Sequence, residues 1–142
     1  MNYRIVVDTN VIVSAVLNPE GKPAAVLDTV IEGDCLLILS EAILEEVRRV
    51  FSYGKIKKVC LKNDISQPEI NAFIETLSDI SLLVPGELEL DIIKADPADN
   101  IFLTCAVEGK ADFLVTGDHH LSELGTYQTI QILSPTDFLR YL

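Results

Sequence analysis

The pattern of apolar and polar positions divides the chain into short apolar runs of strand length and longer segments with helical spacing. The apolar runs contain few internal polar residues, which is typical of strands that are covered on both faces. The pattern predicts strands at Tyr3–Val7, Cys35–Leu39, Ser81–Val84, Phe113–Thr116 and Ile130–Leu133.

Helix start and stop signals occur between these runs. Pro23 lies near the start of one segment and Gly33 just past its end, Ser66 and Glu69 form a capping box, and Gly54 is predicted to end the helix that Ser40 caps. The predicted helices are Asn10–Leu17, Pro23–Glu32, Ser40–Tyr53, Ser66–Ile80, Asp96–Gly109 and Thr136–Leu142. The alternation of strands and helices predicts an α/β fold with three α/β/α layers and a central, mainly parallel sheet.

Two acidic residues follow predicted strands directly. Asp8 ends the first strand, and Asp118 lies two residues past Thr116. The carboxyl ends of parallel strands share one edge of a sheet, where open α/β folds place their sites. Each acid also has a structural interpretation, because Asp8 can cap the helix that follows and Asp118 can stabilise the turn Thr116–Asp118.

Two further acids lie on predicted helices. Glu46 falls at the margin of an apolar stripe at helical spacing, whereas Glu45 points to the solvated side. Asp99 lies in the first turn of a nearly apolar helix, where it can assist helix initiation or face the sheet edge, and Asp96 is the expected cap of that helix. Carboxylates that converge at one edge repel one another unless a divalent cation joins them, and such ions serve phosphodiester hydrolysis.

Composition and charge limit the function classes. At 142 residues the chain has the length of one domain, and its net charge is −11. This charge suits a basic protein partner and disfavours a nucleic acid, but six of the eleven basic residues lie within residues 48–62. This stretch predicts a local basic strip for a nucleic-acid backbone, with Arg48, Lys55, Lys57 and Lys58 as its main candidates. The alternative is an ordinary solvated helix end and loop.

The chain carries no sign of export or membrane insertion. Its apolar runs are shorter than the ~20 residues that span a bilayer, and the N-terminus enters a strand rather than a signal peptide. Its three cysteines are widely spaced and contain no CxxC pair, which predicts reduced thiols and a cytoplasmic location.

Four motifs in order resemble those of PIN domains. They are Val6-Val7-Asp8-Thr9-Asn10-Val11, Ser40-Glu41-Ala42-Ile43-Leu44-Glu45-Glu46, Asp96-Pro97-Ala98-Asp99-Asn100-Ile101-Phe102-Leu103 and Val115-Thr116-Gly117-Asp118. Together they span essentially the whole chain, and within the superfamily they are most similar to the bacterial and archaeal branch of toxin components in toxin–antitoxin pairs.

The resemblance implies a nuclease that cleaves single-stranded RNA with Mg²⁺ or Mn²⁺. By position, it assigns Asp8, Glu46, Asp99 and Asp118 as the acidic quartet that binds the metal and carries catalysis. It assigns Thr9, Asn10, Asp96 and Thr116 as groups that orient the carboxylates or water. It also implies an antitoxin partner and a homodimer.

Two alternatives remain at the level of sequence. A Mg²⁺-dependent phospho-aspartate phosphatase or receiver domain also uses acids at strand ends, but Asp8-Thr9-Asn10 lacks a second acid and no lysine follows the last strand. A PIN scaffold with weak or suppressed activity would act mainly as a binding module. His119 and His120 are expected to lie in a surface loop, with His119 the one that could reach a substrate.

Overall fold

The sheet of the protein is nearly all parallel. The computed structural model describes residues 2–88 and 100–142. The described strands are β1 (Tyr3–Val7), β2 (Cys35–Ser40), β3 (Leu82–Val84), β4 (Phe113–Val115), β5 (Thr126–Tyr127) and β6 (Ile130–Leu133). They lie in the order β3-β2-β1-β4-β6-β5, and β5 pairs antiparallel with β6 while the other pairs are parallel.

Helices cover both faces of this sheet, which confirms the predicted three-layer α/β/α architecture. Their bounds are α1 (Thr9–Leu17), α2 (Lys22–Ile31), α3 (Glu41–Phe51), α4 (Gly54–Lys62), α5 (Gln67–Ile80), α6 (Asn100–Glu108), α7 (His119–Ser122) and α8 (Pro135–Tyr141). The predicted start of the sixth helix at Asp96 lies outside the described residues, whereas its apolar body is present as α6.

The central strands are buried through consecutive residues. Ile5, Val6 and Val7 of β1 have no exposed surface, although successive side chains of a strand point to opposite faces. Burial on both faces explains why these runs are continuously apolar rather than alternating. The side chains of Cys35, Cys60 and Cys105 are free thiols in this core.

Gly54 lies past the end of the helix that Ser40 caps, as predicted, but it also begins a helix that the sequence did not predict. Gly54 is the first residue of α4, and only Ser52 and Tyr53 separate α4 from α3. Helix α4 forms because Ile56 and Cys60 lie four residues apart, at helical spacing, and pack inward. The lysines of residues 55–62 are therefore carried by a helix.

Two small elements had no predicted counterpart. Helix α7 has four residues and β5 has two, and both are too short to show a period. Among the described helices, none combines the length and the apolar character needed to cross a membrane.

Candidate active site

The backbone fixes Asp8 and Thr116 at the carboxyl edge of the sheet. The N–H of Asp8 donates to the carbonyl oxygen of Val115 at 3.1 Å, and the N–H of Thr116 donates to that of Leu133 at 2.9 Å. These bonds continue the parallel ladders one residue beyond β1 and β4. The two residues are consequently held by three neighbouring strands.

Asp8 uses its two carboxylate oxygens in different ways. Oδ1 accepts from the N–H of Val11 at 3.0 Å, so Asp8 is the N-cap of α1. Oδ2 accepts a hydrogen bond from the hydroxyl of Thr116. The cap interpretation is thus correct for one oxygen, while the other faces β4 across the edge. The side chain is almost fully buried, with 3% of the residue exposed.

Thr116 links Asp8 to Asp118. Its buried hydroxyl donates to Asp8 and accepts from the N–H of Asp118 at 2.9 Å. Asp118 in turn caps α7, because its Oδ1 accepts from the N–H of His120 at 2.7 Å and of Leu121 at 3.2 Å. One hydroxyl therefore fixes the position of two predicted site acids.

Burial raises the pKa of the Asp8 carboxyl above its ordinary value of 3.8, and the negative charge of Asp118 raises it further. The hydrogen bonds from Thr116 and from the backbone of Val11 and Asn10 oppose this rise because they favour the charged form. A cation at this edge would stabilise both carboxylates, since it would offset the desolvation and the like-charge repulsion together.

Glu46 approaches the same edge from α3. As the helical spacing predicts, Glu46 lies at the margin of the core with 18% of its side chain exposed, while Glu45 is exposed. Its Oε2 accepts from the hydroxyl of Thr9 at 3.2 Å, and Thr9 is the buried residue next to Asp8. Its Oε1 lies 3.2 Å from Nη2 of Arg49. Thr9 thus joins Glu46 to the cluster.

The oxygen atoms near this edge are of the chemical type that binds a hard divalent cation. Asp8, Glu46 and Asp118 offer carboxylate oxygens, and Thr9 and Thr116 offer hydroxyls that orient them. In residues 2–88 and 100–142, no three His, Cys, Asp or Glu side chains form a group that could hold a metal ion. Asp99 and Asp96 lie outside those residues, so their predicted roles stay predictions.

The remaining predicted site residues have varied positions. Asn10 contributes its backbone N–H to Asp8, and its side chain is exposed. His119 lies 3.3 Å from Glu123 across one turn, and both side chains are about seven-tenths exposed. Nδ1 of His120 lies 3.9 Å from Oδ1 of Asp118. Both histidines therefore belong to the short helix α7 rather than to a loop.

The basic strip is split between two helices. Lys55, Lys57 and Lys58 are exposed on α4. Arg48 pairs with Glu41 at 3.8 Å and lines a groove between α3 and α5. In the described ranges, the arginine that contacts a predicted site acid is instead Arg49, which was not among the predicted RNA-binding residues. The sequence indicates this contact only through the position of Arg49 three residues after Glu46, since side chains at that spacing are neighbours on a helix.

Comparisons with known proteins agree with this architecture. A family model described as PIN domain matches residues 4–120. An uncharacterized protein of Methanocaldococcus jannaschii is 31% identical over 124 residues, which cover 87% of this chain and 76% of that protein. The crystal structure of VapBC2 from Rickettsia felis, bound to a DNA fragment from their promoter, has a similar fold with a TM-score of 0.56 at 14% identity. That match covers 91% of this chain and 96% of the other.

Proposed function

This chain belongs to the PIN domain family, and from that premise we propose that it is a Mg²⁺- or Mn²⁺-dependent endoribonuclease that cleaves single-stranded RNA. PIN domains are generally nucleases and generally use divalent metals, so membership supports hydrolysis of a nucleic acid. The family match also favours this activity over the phospho-aspartate classes.

One observation carries the proposal. A single buried hydroxyl, that of Thr116, holds the carboxylate of Asp8 and the backbone of Asp118 at the carboxyl edge of a parallel sheet. Among the described residues no cation pairs with the buried Asp8. Burial of this charge is unfavourable if Asp8 serves only as a helix cap, because an uncharged cap would serve equally well.

In the proposed mechanism the quartet Asp8, Glu46, Asp99 and Asp118 would hold the divalent metal. When bound, the ion would activate a water for in-line attack on phosphorus and would stabilise charge on the leaving oxygen. Thr116 orients Asp8 and Asp118, and Thr9 orients Glu46. Asn10 and Asp96 complete the positioning set. The three cysteines are buried in the core and none is placed to act as a nucleophile.

We also propose that the protein is the toxin of a toxin–antitoxin pair. The fold match to VapBC2 supports this assignment and an antitoxin partner. The proposal includes a single domain over residues 1–142, a cytoplasmic location and a homodimer. Large exposed apolar side chains such as Leu61, at 77%, and Leu83, at 50%, are compatible with protein contacts. A small reading frame upstream whose product relieves growth arrest would support the pairing, and light scattering would test the dimer.

The nuclease assignment is tested with purified protein and a mixed pool of single-stranded RNA. We expect cleavage with Mg²⁺ or Mn²⁺, none with EDTA, and none by Asp8→Asn. Asp112→Asn is the matched control, because Asp112 precedes β4 at its amino end and undergoes the same chemical change away from the candidate site. Equal cleavage by wild type and Asp8→Asn would reject the proposed site, and no cleavage by folded wild type under any metal would favour the binding scaffold.

The proposed RNA-binding strip consists of Arg48, Lys55, Lys57 and Lys58, and it has its own test. Replacing its three lysines with Ala should weaken RNA binding and reduce the slope of log affinity against log salt by about 2, at ~0.7 per phosphate contact. The control replaces three exposed cations elsewhere, Lys22, Lys110 and Arg140, for the same change in net charge. Equal effects of the two triple variants would show that only net charge matters.

A further inference from the structure

The contact between Arg49 and Glu46 gives one candidate acid a positive partner from its own helix. Nη2 of Arg49 lies 3.2 Å from Oε1 of Glu46, while Oε2 accepts from Thr9. Both oxygens of Glu46 are therefore engaged, one by a neutral hydroxyl and one by a guanidinium. A divalent ion bound at Glu46 would compete with the guanidinium for Oε1.

We propose that Arg49 is a substrate-contacting residue that pairs with Glu46 when the acids hold no metal, and that metal binding releases it to bind a phosphate of the RNA. This inference rests on the proposed function. It assigns to one residue both the neutralisation of Glu46 before metal binding and the recognition of the RNA backbone afterwards.

The exposure of the Arg49 side chain supports the exchange. The side chain of Arg49 is 61% exposed, whereas that of Glu46 is 18% exposed. An exposed arginine gives up an ion pair at little cost, because solvent screens the charges. The acid stays in place because Thr9 and the packing of α3 hold it. The guanidinium is thus the partner that moves.

The chemistry of the released group matches a phosphodiester. A guanidinium has five donors in a planar fork that fits two phosphate oxygens, and it remains charged at any pH used for a cleavage assay. A site that contains only carboxylates and metal would repel the other phosphates of the RNA strand. A cation one helical turn from Glu46 offsets that repulsion where the RNA enters.

The neighbouring cations do not fill this role in the part of the chain that the structure describes. Arg48 faces the groove between α3 and α5 and pairs with Glu41. His120 lies 3.9 Å from Asp118 and is positively charged only when protonated. Arg49 is therefore the permanent cation that the described residues place against a predicted site acid.

The test compares Arg49→Ala and Arg49→Lys with Arg140→Ala. Arg140 forms an ion pair with Asp137, three residues earlier on α8, so the control removes the same charge and a helical ion pair with the same sequence spacing. Calorimetric titration with Mn²⁺ in the absence of RNA reads the competition directly. Steady-state cleavage of one labelled RNA then separates KM from kcat.

We expect Arg49→Ala to bind Mn²⁺ about fivefold more tightly than wild type, because the variant lacks the partly exposed guanidinium that competes with the metal ion. We expect its KM for RNA to rise about tenfold or more with a smaller change in kcat, because a charge-assisted phosphate contact is lost. Arg49→Lys should restore part of the KM, and Arg140→Ala should leave both quantities at wild-type values.

Equal and measurable Mn²⁺ affinity of wild type and Arg49→Ala would overturn the exchange while leaving the proposed nuclease intact. Tighter Mn²⁺ binding with an unchanged KM would overturn the phosphate contact. If neither protein binds Mn²⁺ or, in a parallel titration, Mg²⁺, the proposed function and this inference are overturned together. Circular dichroism and thermal melts confirm that the variants are folded.

Discussion

The hydroxyl of Thr116 is the most informative atom to remove. Thr116→Val keeps the shape and the methyl group of a residue with no exposed surface but deletes the group that donates to Asp8 and accepts from Asp118. The carboxylate of Asp8 loses a charge-assisted hydrogen bond, and the N–H of Asp118 loses its acceptor. The substitution therefore removes one hydrogen bond from each of two predicted site acids.

The expected cost follows from those two bonds. A hydrogen bond to a charged group contributes ~1.5–3 kcal/mol and a neutral one ~0.5–1.5 kcal/mol, so the free energy of unfolding should fall by about 2–4 kcal/mol. Thr116→Ser keeps the hydroxyl and removes one buried methyl group, which should cost about 1 kcal/mol. Urea unfolding of metal-free protein at neutral pH measures both values.

The same pair of variants separates the effects on function. Loss of an orienting group typically costs ~10–100-fold in metal affinity or activity, so Thr116→Val should bind Mn²⁺ at least tenfold more weakly than Thr116→Ser. The hydrogen bond lowers the pKa of Asp8, so its loss should move the acidic limb of the cleavage profile to higher pH. Equal stability, Mn²⁺ affinity and pH profile of Thr116→Val and Thr116→Ser would show that the hydroxyl does not organise the site.

Two further predictions concern charge and packing. Asp8→Asn should abolish cleavage yet stabilise the metal-free protein at neutral pH. Burial raises the pKa of Asp8 in the folded state, so the stability of the wild type falls as pH rises from 3.8 through that raised value. The extra stability of the variant should therefore disappear below pH 3.8. Urea unfolding across pH measures it, and an advantage that grows on acidification would contradict the sign. Gly109→Ala should destabilise the fold by about 1–3 kcal/mol, because the added Cβ would lie 2.4 Å from Cγ2 of Ile38. Gly54→Ala should be neutral or stabilising, because its added Cβ meets no atom of the described residues within 4 Å. Equal melting temperatures of the two alanine variants would refute the packing argument.

The sequence predicts the sheet well because its central strands are buried on both faces. The consecutive apolar residues Ile5–Val7 are all buried, so their pattern identifies a strand without alternation. The caps at Ser40 and Ser66 place the predicted helix starts within one residue of the observed starts. Helix α4 was missed because a glycine after a helix commonly ends it, yet here two residues suffice to start another helix. The packing of Ile56 and Cys60 outweighs that local signal.

The site was predicted less completely, for a physical reason. Strand ends and helical periods place Asp8 and Asp118 beyond β1 and β4 and Glu46 at the margin of the core, and the structure has each residue there. Their joint role at one metal site stays a prediction. The hydrogen bonds that join them depend on side-chain rotamers across elements more than 100 residues apart, as for Thr116 and Asp8. The choice of Arg49 over Arg48 depends on which face of α3 each side chain follows, and a stretch of adjacent cations does not specify that.

Asp8 and Asp118 each begin a helix with the same carboxylate that the proposed mechanism uses. Helix caps accept Asn or Ser in place of Asp with little loss, whereas Ala costs about 1 kcal/mol. Relatives that lose catalysis during evolution can therefore replace these two aspartates with Asn or Ser and keep their folding. Pseudoenzymes of this lineage should carry those residues there rather than alanine, and an intact pair of aspartates is a sign that selection for chemistry continues.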